Sequence, residues 1–338
     1  MSFFPTVSVI IPTYNGANTI KSAIESVLGQ SGCDLDIIVV DDGSTDKTEE
    51  VVKSYCDKGL ITYLKQENKG SASARNLGIK TANGEYICFL DADDTFQGNS
   101  IPERLTAFKK YPFAGLLCTD FKQMTLDNDK HLIYNEQKSR KTFLEDAMKY
   151  AKLVDGNVYV FDKKIFYDPL VLRRLIWTGT VMIPKPVFED VGRFNETLRI
   201  AQDIDLWFRI ARKYEIVFID LPTATYFLHG NGVTNNKSSY YIHTIKVLEQ
   251  YLDPLYKTPN ECKTKIKNKI SSYYFILGYF YYDKKRYKDA KKYFIKSLIN
   301  NKKALKCYIY VLITLLPGFM INNMRSARRL LSGLSSAA

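Results

Sequence analysis

Residues 88–95 read CFLDADDT, so three carboxylates, Asp91, Asp93 and Asp94, fall within four residues at the end of the apolar run Ile87-Cys88-Phe89-Leu90. Like charges this close repel: two unit charges about 4 Å apart interact by roughly 4 kcal/mol at an effective dielectric of about 20. Burial adds to the cost unless something positive pairs with them. A hard divalent cation is one such partner. Carboxylates at i and i+2 present oxygens to Mg2+ or Mn2+, which keeps waters and takes its other ligands from a diphosphate. A solvated acidic turn is the plain alternative for an isolated Asp-X-Asp. An EF-hand loop is excluded, because Phe96 stands at the sixth position from Asp91 and Pro102 at the twelfth.

A second acidic stretch, DDGSTD, occupies residues 41–46. A strand-end carboxylate such as Asp42 can accept from a nucleobase N–H or a ribose hydroxyl; a lone Asp-Asp-Gly is otherwise a turn. Tyr14, in PTYN, can stack on a base or serve as an ordinary core aromatic.

The elements that position these residues follow from the apolar pattern. Val7–Ile11, ended by Pro12, reads as a buried strand, as do Leu35–Val40, Leu60–Leu64 and Tyr86–Leu90. Helical spacing separates them at Asn18–Leu28, with Asn18 as cap, at Lys47–Tyr55, capped from Ser44, Thr45 or Asp46, and at Ser73–Ala82. Strands alternating with helices predict βαβ units and a mostly parallel, Rossmann-like sheet. Ligands bind such sheets at the carboxyl ends of the strands, where PTYN, DDGSTD and DADD converge. Further helices are expected at Pro102–Lys110 and Thr142–Lys152. WTGTVMIP (177–184) reads as a strand, 201–214 as an amphipathic helix with acids at its start, and EIVFID (215–220) as a strand.

From Tyr240 onward the pattern is helical. Tyr274, Leu277, Gly278, Tyr281, Tyr287, Ala290, Phe294 and Leu298 follow the spacing of one tetratricopeptide-like hairpin, which must pack on another element because a single repeat cannot bury its own faces. The expected organisation is a catalytic domain at 1–230, divided into a nucleotide-binding half (1–98) and an acceptor-side half (99–230), and a basic helical region at 231–338.

The net charge of +12 is concentrated in that region: 20 Lys/Arg stand against 5 Asp/Glu in 231–338, and 28 against 31 in the rest. Such a tail fits an anionic partner, and an acidic membrane surface is preferred because no nucleic-acid motif accompanies the charge. The apolar run at 308–321 is too short to span a bilayer, and the N-terminus lacks the features of a signal peptide. The six cysteines form no CxxC pair, which fits reduced thiols in a cytoplasmic protein, peripheral at the inner face of the membrane.

VSVIIPTYNG, IIVVDDGSTD, NKGSASARNLGI, GEYICFLDADD and QDIDLWFRIA together resemble the ordered motifs of family-2 nucleotide-sugar glycosyltransferases, over about residues 5–230. The resemblance implies a GT-A fold and an inverting, metal-dependent transfer from a UDP-linked sugar to a carbohydrate or lipid-linked acceptor, in bacterial surface polysaccharide assembly. It implies that Pro12, Tyr14, Asn15 and Asp42 line the nucleoside pocket, with Arg75, Asp91 and Ala92 completing the donor site. Asp91 and Asp93 match the DxD motif, with Asp93 the direct ligand of Mn2+ or Mg2+ and His229 a further candidate. Asp203 matches the catalytic base. Gln202 stands where the family often has Glu, on the acceptor side with Trp177 and Thr178.

Two other readings compete. A nucleotidyltransferase needs a glycine-rich basic loop after the first strand, where this chain has PTYNGANT. A non-catalytic scaffold with a helical partner-binding tail would not need Asp42, Asp91, Asp93 and Asp203 together. A dinucleotide dehydrogenase is excluded because no GxGxxG follows a strand.

Overall fold

The computed structural model describes residues 5–126, 132–134, 151–162, 176–228, 237–316 and 320. The chain forms two compact units, Met1–Asn235 and Asn236–Ala338.

In the first unit the described strands join one sheet. β1 (Thr6–Thr13), β2 (Asp34–Asp41), β3 (Thr62–Lys65) and β4 (Tyr86–Phe89) are parallel in the order β3-β2-β1-β4. The interiors of β1 and β2 read as continuous Val/Ile runs because both faces are covered. Val7, Val9 and Ile11 face a core shared with α1 (Ile20–Leu28) and α4 (Ser100–Lys110). Ile10 faces the other way, against α3 (Ser71–Thr81), where a Cβ on Gly78 would strike its side chain. α2 (Thr48–Cys56) connects β2 to β3.

β1 runs two residues past Ile11, through Pro12 to Thr13. Thr13 pairs with Asp41 of β2, and the Ile10 carbonyl accepts from Leu90 on the β4 side. By alternation the missing N–H of Pro12 faces the β4 side, beyond the last β1–β4 pair, so the ring forfeits no ladder bond. The third strand is Thr62–Lys65, not Leu60–Leu64, and Thr19 rather than Asn18 stands at the α1 cap.

Beyond β4 the sheet changes direction. β10 (Val181–Pro184) is antiparallel to both β4 and β6 (Ala114–Leu126), and β6 is parallel to β11 (Glu215–Leu228). β9 (Val158–Phe161) and β8 (Ala151–Asp155) extend this edge, while β5 (Thr95–Phe96) pairs β11 and β7 (Leu132–Tyr134) pairs β6. Three expectations are corrected here. Residues 177–184 form a turn, Thr178–Thr180, before a short strand; β11 continues eight residues beyond EIVFID; and Lys152 lies in β8, not in a helix. Ala151 lies in β8 as well, and residues 142–150 of the helix expected at Thr142–Lys152 lie outside the described residues. α5 (Lys185–Val191) and α6 (Gln202–Lys213) cover the sheet through Phe188, Phe194 and Trp207, the first two packed edge-on to Phe89.

The second unit contains α7 (Lys237–Gln250), α8 (Asn260–Asp283), α9 (Tyr287–Asn300) and α10 (Leu305–Ile313). α8 and α9 pack against each other. Gly278 lets the Phe294 ring approach the α8 backbone, and Ser271 and Ser297 exchange hydrogen bonds at 2.7–2.8 Å. Neighbouring helices cover the pair: Tyr310 of α10 stacks on Phe294 at 5.0 Å, and Glu249 of α7 accepts from Tyr274 at 3.0 Å.

Candidate functional site

Three strand-end loops meet at the carboxyl edge of β1, β2 and β4. Asn15, at φ 52°, bends the loop after β1 onto the one after β2: its N–H donates to Ser44 Oγ at 2.8 Å, and its Oδ1 accepts from Thr45 N at 2.9 Å. Ala17 N donates to Asp46 Oδ2 at 3.1 Å. Asp46 also accepts from Thr48 N, so it starts α2 and ties the loops together. Pro12 is buried beneath this junction, while Tyr14 is 53% exposed and presents its ring outward.

Asp42 is buried and organises the next loop. Its Oδ1 accepts from Gln66 Nε2 (2.7 Å) and Lys69 N (2.8 Å), and its Oδ2 from Gly70 N (2.8 Å). Gly43 crosses the same loop at φ 81°, where a Cβ would lie 2.9 Å from Asn68 N, so both conformation and space require glycine. Asp41, which the sequence reading left aside, caps β2 by accepting from Ser44 N and Tyr63 Oη, each at 2.7 Å.

This loop delivers α3, and α3 delivers the positive charge that the acidic cluster lacks. Arg75 is buried and its Nη2 lies 2.5 Å from Asp91 Oδ1. Its guanidinium packs 5.6 Å from the centroid of Phe194, and its Nε is buried without a hydrogen-bond partner. Asp91 opens a tight turn in which Asp94 N donates to the Asp91 carbonyl at 3.0 Å. Ala92 is buried under that turn and Asp93 is exposed on it.

Asp94 is 1% exposed. Burial first, and then the charges of Asp91 and Asp93, push its carboxyl well above the usual carboxylate range. Its Oδ1 accepts from Phe227 N at 3.0 Å, pinning the end of β11, and its Oδ2 is buried without a partner. Three carboxylates against one arginine leave an excess of negative charge, and oxygen donors on an exposed turn suit a hard divalent cation. Among the described residues no three His, Cys, Asp or Glu side chains are gathered as a complete metal cage.

Two clamps bring α6 to the same place. Asn76, beside Arg75, accepts from Phe194 N through Oδ1 (2.9 Å) and donates to the Phe194 carbonyl through Nδ2 (2.9 Å). Gln202 Nε2 donates to Ser71 Oγ at 3.0 Å, joining the first residue of α6 to the first residue of α3. Asp203 follows in the first turn of α6, partly exposed, with its Oδ1 accepting from Ile204 N at 2.8 Å. Ala201, just before, has φ 66°, a left-handed conformation costly for a residue with a Cβ. Such strain is kept where surrounding contacts impose it, and it clusters at functional sites.

Trp177 packs tilted against Phe121 (4.8 Å between centroids) and meets Tyr226 at 5.1 Å. Its turn is held by the buried Arg104, which donates to the carbonyls of Val181 (3.2 Å) and Gly179 (3.3 Å) and to Thr223 Oγ1 (2.9 Å). Thr178 in that turn is buried. His229 lies outside the described residues.

The profile of glycosyl transferase family 2 matches residues 8–163, which contain the loops after β1, β2 and β4. A glycosyltransferase of Rickettsia prowazekii is 35% identical over 257 residues, covering 74% of this chain and 70% of that protein. The chain belongs to glycosyltransferase family 2. This family-2 chain is also 27% identical over 237 residues to TuaG of Bacillus subtilis, a protein named for teichuronic acid biosynthesis, over 69% of the chain and 83% of TuaG. Its fold is similar to that of residues 1–349 of S. aureus TarS in complex with UDP-GlcNAc, with a TM-score of 0.62 and 16% identity over 95% of this chain and 92% of that one. This is the expected GT-A arrangement with a C-terminal helical extension. Several relatives are longer: the chain spans 62% of a Rickettsia typhi glycosyltransferase and 33% of one from Rickettsia felis.

Proposed function

We propose that this family-2 chain transfers a sugar from a UDP-linked donor to a hydroxyl of a saccharide or lipid-linked saccharide, with inversion, in bacterial surface polysaccharide assembly. One observation carries the reading: the Gln202–Ser71 hydrogen bond ties the first turn of α6, which carries Asp203, to the start of α3, whose Arg75 pairs with Asp91. A proton acceptor and a diphosphate-handling cluster thereby share one edge of the sheet. The UDP-GlcNAc complex of the structurally similar TarS and the teichuronic acid naming of TuaG support the donor and pathway classes.

In this reading Asp91 and Asp93, with His229 as a further candidate, hold Mn2+ or Mg2+. The cation supplies charge neutralisation on the departing diphosphate. Arg75 adds a second positive group there, and Pro12, Tyr14, Asn15, Asp42 and Ala92 shape the nucleoside end. Asp203 takes the proton of the acceptor hydroxyl as its oxygen bonds to C1 and the bond from C1 to the diphosphate oxygen breaks. A base so placed contributes about 10²–10⁴-fold. Trp177, Thr178 and Gln202 face the acceptor.

The test is hydrolysis of, or transfer from, UDP-GlcNAc in the presence of Mn2+. Turnover lost in Asp203→Asn, with UDP binding kept, is the expected result. Wild-type turnover in that variant would remove Asp203 as the base. Pyrophosphate-dependent release of UTP would instead mark a nucleotidyltransferase.

A further inference from the structure

α10 buries one side and leaves the other bare. Cys307 is its buried residue, with Tyr310 and Val311 packed inward beside it. At 100° per residue, Ile309 and Leu312 lie within about 40° of Leu305, and Cys307 lies roughly 160° away. That outer face is fully apolar: Leu305 is 74% exposed, Ile309 58% and Leu312 65%, and Leu315 in the turn beyond is 57% exposed. Leucines and isoleucines at such spacing ordinarily mark the side of a helix that is covered.

The charged residues of α10 and of the turn before it have one sign. Lys302, Lys303 and Lys306 are exposed at its start. The last acidic residue of the chain is Asp289, and nine Lys or Arg residues follow it. No described helix is long and apolar enough to cross a membrane. An apolar helix face bordered by cations, too short to span, suits the plane of a lipid interface, where apolar side chains enter the acyl boundary and lysines meet phosphates.

We propose that Leu305, Ile309 and Leu312 of α10, with Lys302, Lys303 and Lys306 beside them, dock this protein on an anionic bilayer surface. A second copy of the chain is the less suitable occupant. A two-fold contact through this face would bring Lys302, Lys303 and Lys306 of both copies to one interface with no carboxylate in α10 to offset them. The proposal concerns where the protein sits, and it holds or fails separately from the assignment of a glycosyl transfer.

The experiment is co-sedimentation of the full chain with phosphatidylcholine vesicles, with and without phosphatidylglycerol, at low and high salt. The protein should pellet with the anionic vesicles and be released by salt. Leu312→Glu, and separately Lys302→Glu with Lys303→Glu and Lys306→Glu, should each lower partitioning by roughly tenfold or more. Lys267→Glu, an exposed charge change on α8, controls for net charge and should bind like wild type. These side chains are exposed, so circular dichroism should show the variants folded. No binding to anionic vesicles overturns the proposal, and so does undiminished binding by Leu312→Glu. Sedimentation that shows self-association abolished by Leu312→Glu, with no vesicle binding, assigns the face to a second copy instead.

Discussion

Arg75 Nη2 sits 2.5 Å from Asp91 Oδ1, so the acidic turn is neutralised in part from within by the helix that follows the Asp42-anchored loop. The pair is asymmetric: the arginine side chain is 6% exposed and the aspartate 32%. Removing the buried cation strands Asp91 beside Asp93 and Asp94. Arg75→Gln should therefore lower stability in urea unfolding by about 2–4 kcal/mol, somewhat less than the roughly 3–5 kcal/mol for breaking a fully buried pair, because Asp91 is partly exposed. Millimolar Mn2+ should restore part of the loss, because a cation serves the same carboxylates. Unchanged stability would show that the turn needs no positive partner, and a loss indifferent to Mn2+ would show that no divalent cation serves these carboxylates.

Gln202→Ala removes the Ser71 contact without touching Asp203. One neutral hydrogen bond is worth about 1 kcal/mol. The predicted signature is a small drop in melting temperature, unchanged UDP affinity and a fall in kcat much larger than the stability change. A fall in UDP affinity with kcat preserved would place Gln202 on the donor side.

Asp46 makes the junction of the first two loops sensitive to acid. Burial works to raise its pKa, but hydrogen bonds from Thr48 and Ala17 outweigh it and hold the carboxyl below its usual value. A folded-state pKa below the unfolded one contributes stability above the unfolded value, about 3.9, and loses it as pH falls through the folded value. The difference in melting temperature between wild type and Asp46→Asn should accordingly be largest near neutral pH and shrink below about pH 4. A difference that stays constant with pH would mean that charge on Asp46 contributes nothing.

Gly278 tests the helical unit. A Cβ there would lie 2.6 Å from ring carbons of Phe294, so Gly278→Ala should destabilise by about 1–3 kcal/mol despite alanine's better helix propensity. A more stable variant would mean that α8 and α9 are not in close contact.

The parallel half of the sheet was legible because it is buried on both faces. Val7–Ile11 and Leu35–Val40 leave no alternative to buried strands, and their ends carry residues that no core accommodates. β6 and the far half of β11 were harder. Ala114–Leu126 mixes apolar and polar positions, and Pro222 sits where the β6–β11 register shifts, a bulge that lets proline lie within a long strand. The reversal at β10 depends on pairing across the sheet, which local pattern does not encode. The same limit applied to the site. Acidic loops were found by type and spacing, and Asp94 stood in plain view among them. The contacts of Asn76 with Phe194 and of Gln202 with Ser71 join residues 118 and 131 positions apart, and nothing local announces them. Phe121 and Tyr226 join Trp177 for the same reason.

The most direct measurement is calorimetric titration of UDP into the wild-type chain and into Asp93→Asn, each with Mn2+ and then with excess EDTA. The account predicts tight binding only for wild type with Mn2+, weakened roughly tenfold or more by EDTA or by the substitution. Equal UDP affinity in all four titrations would contradict it.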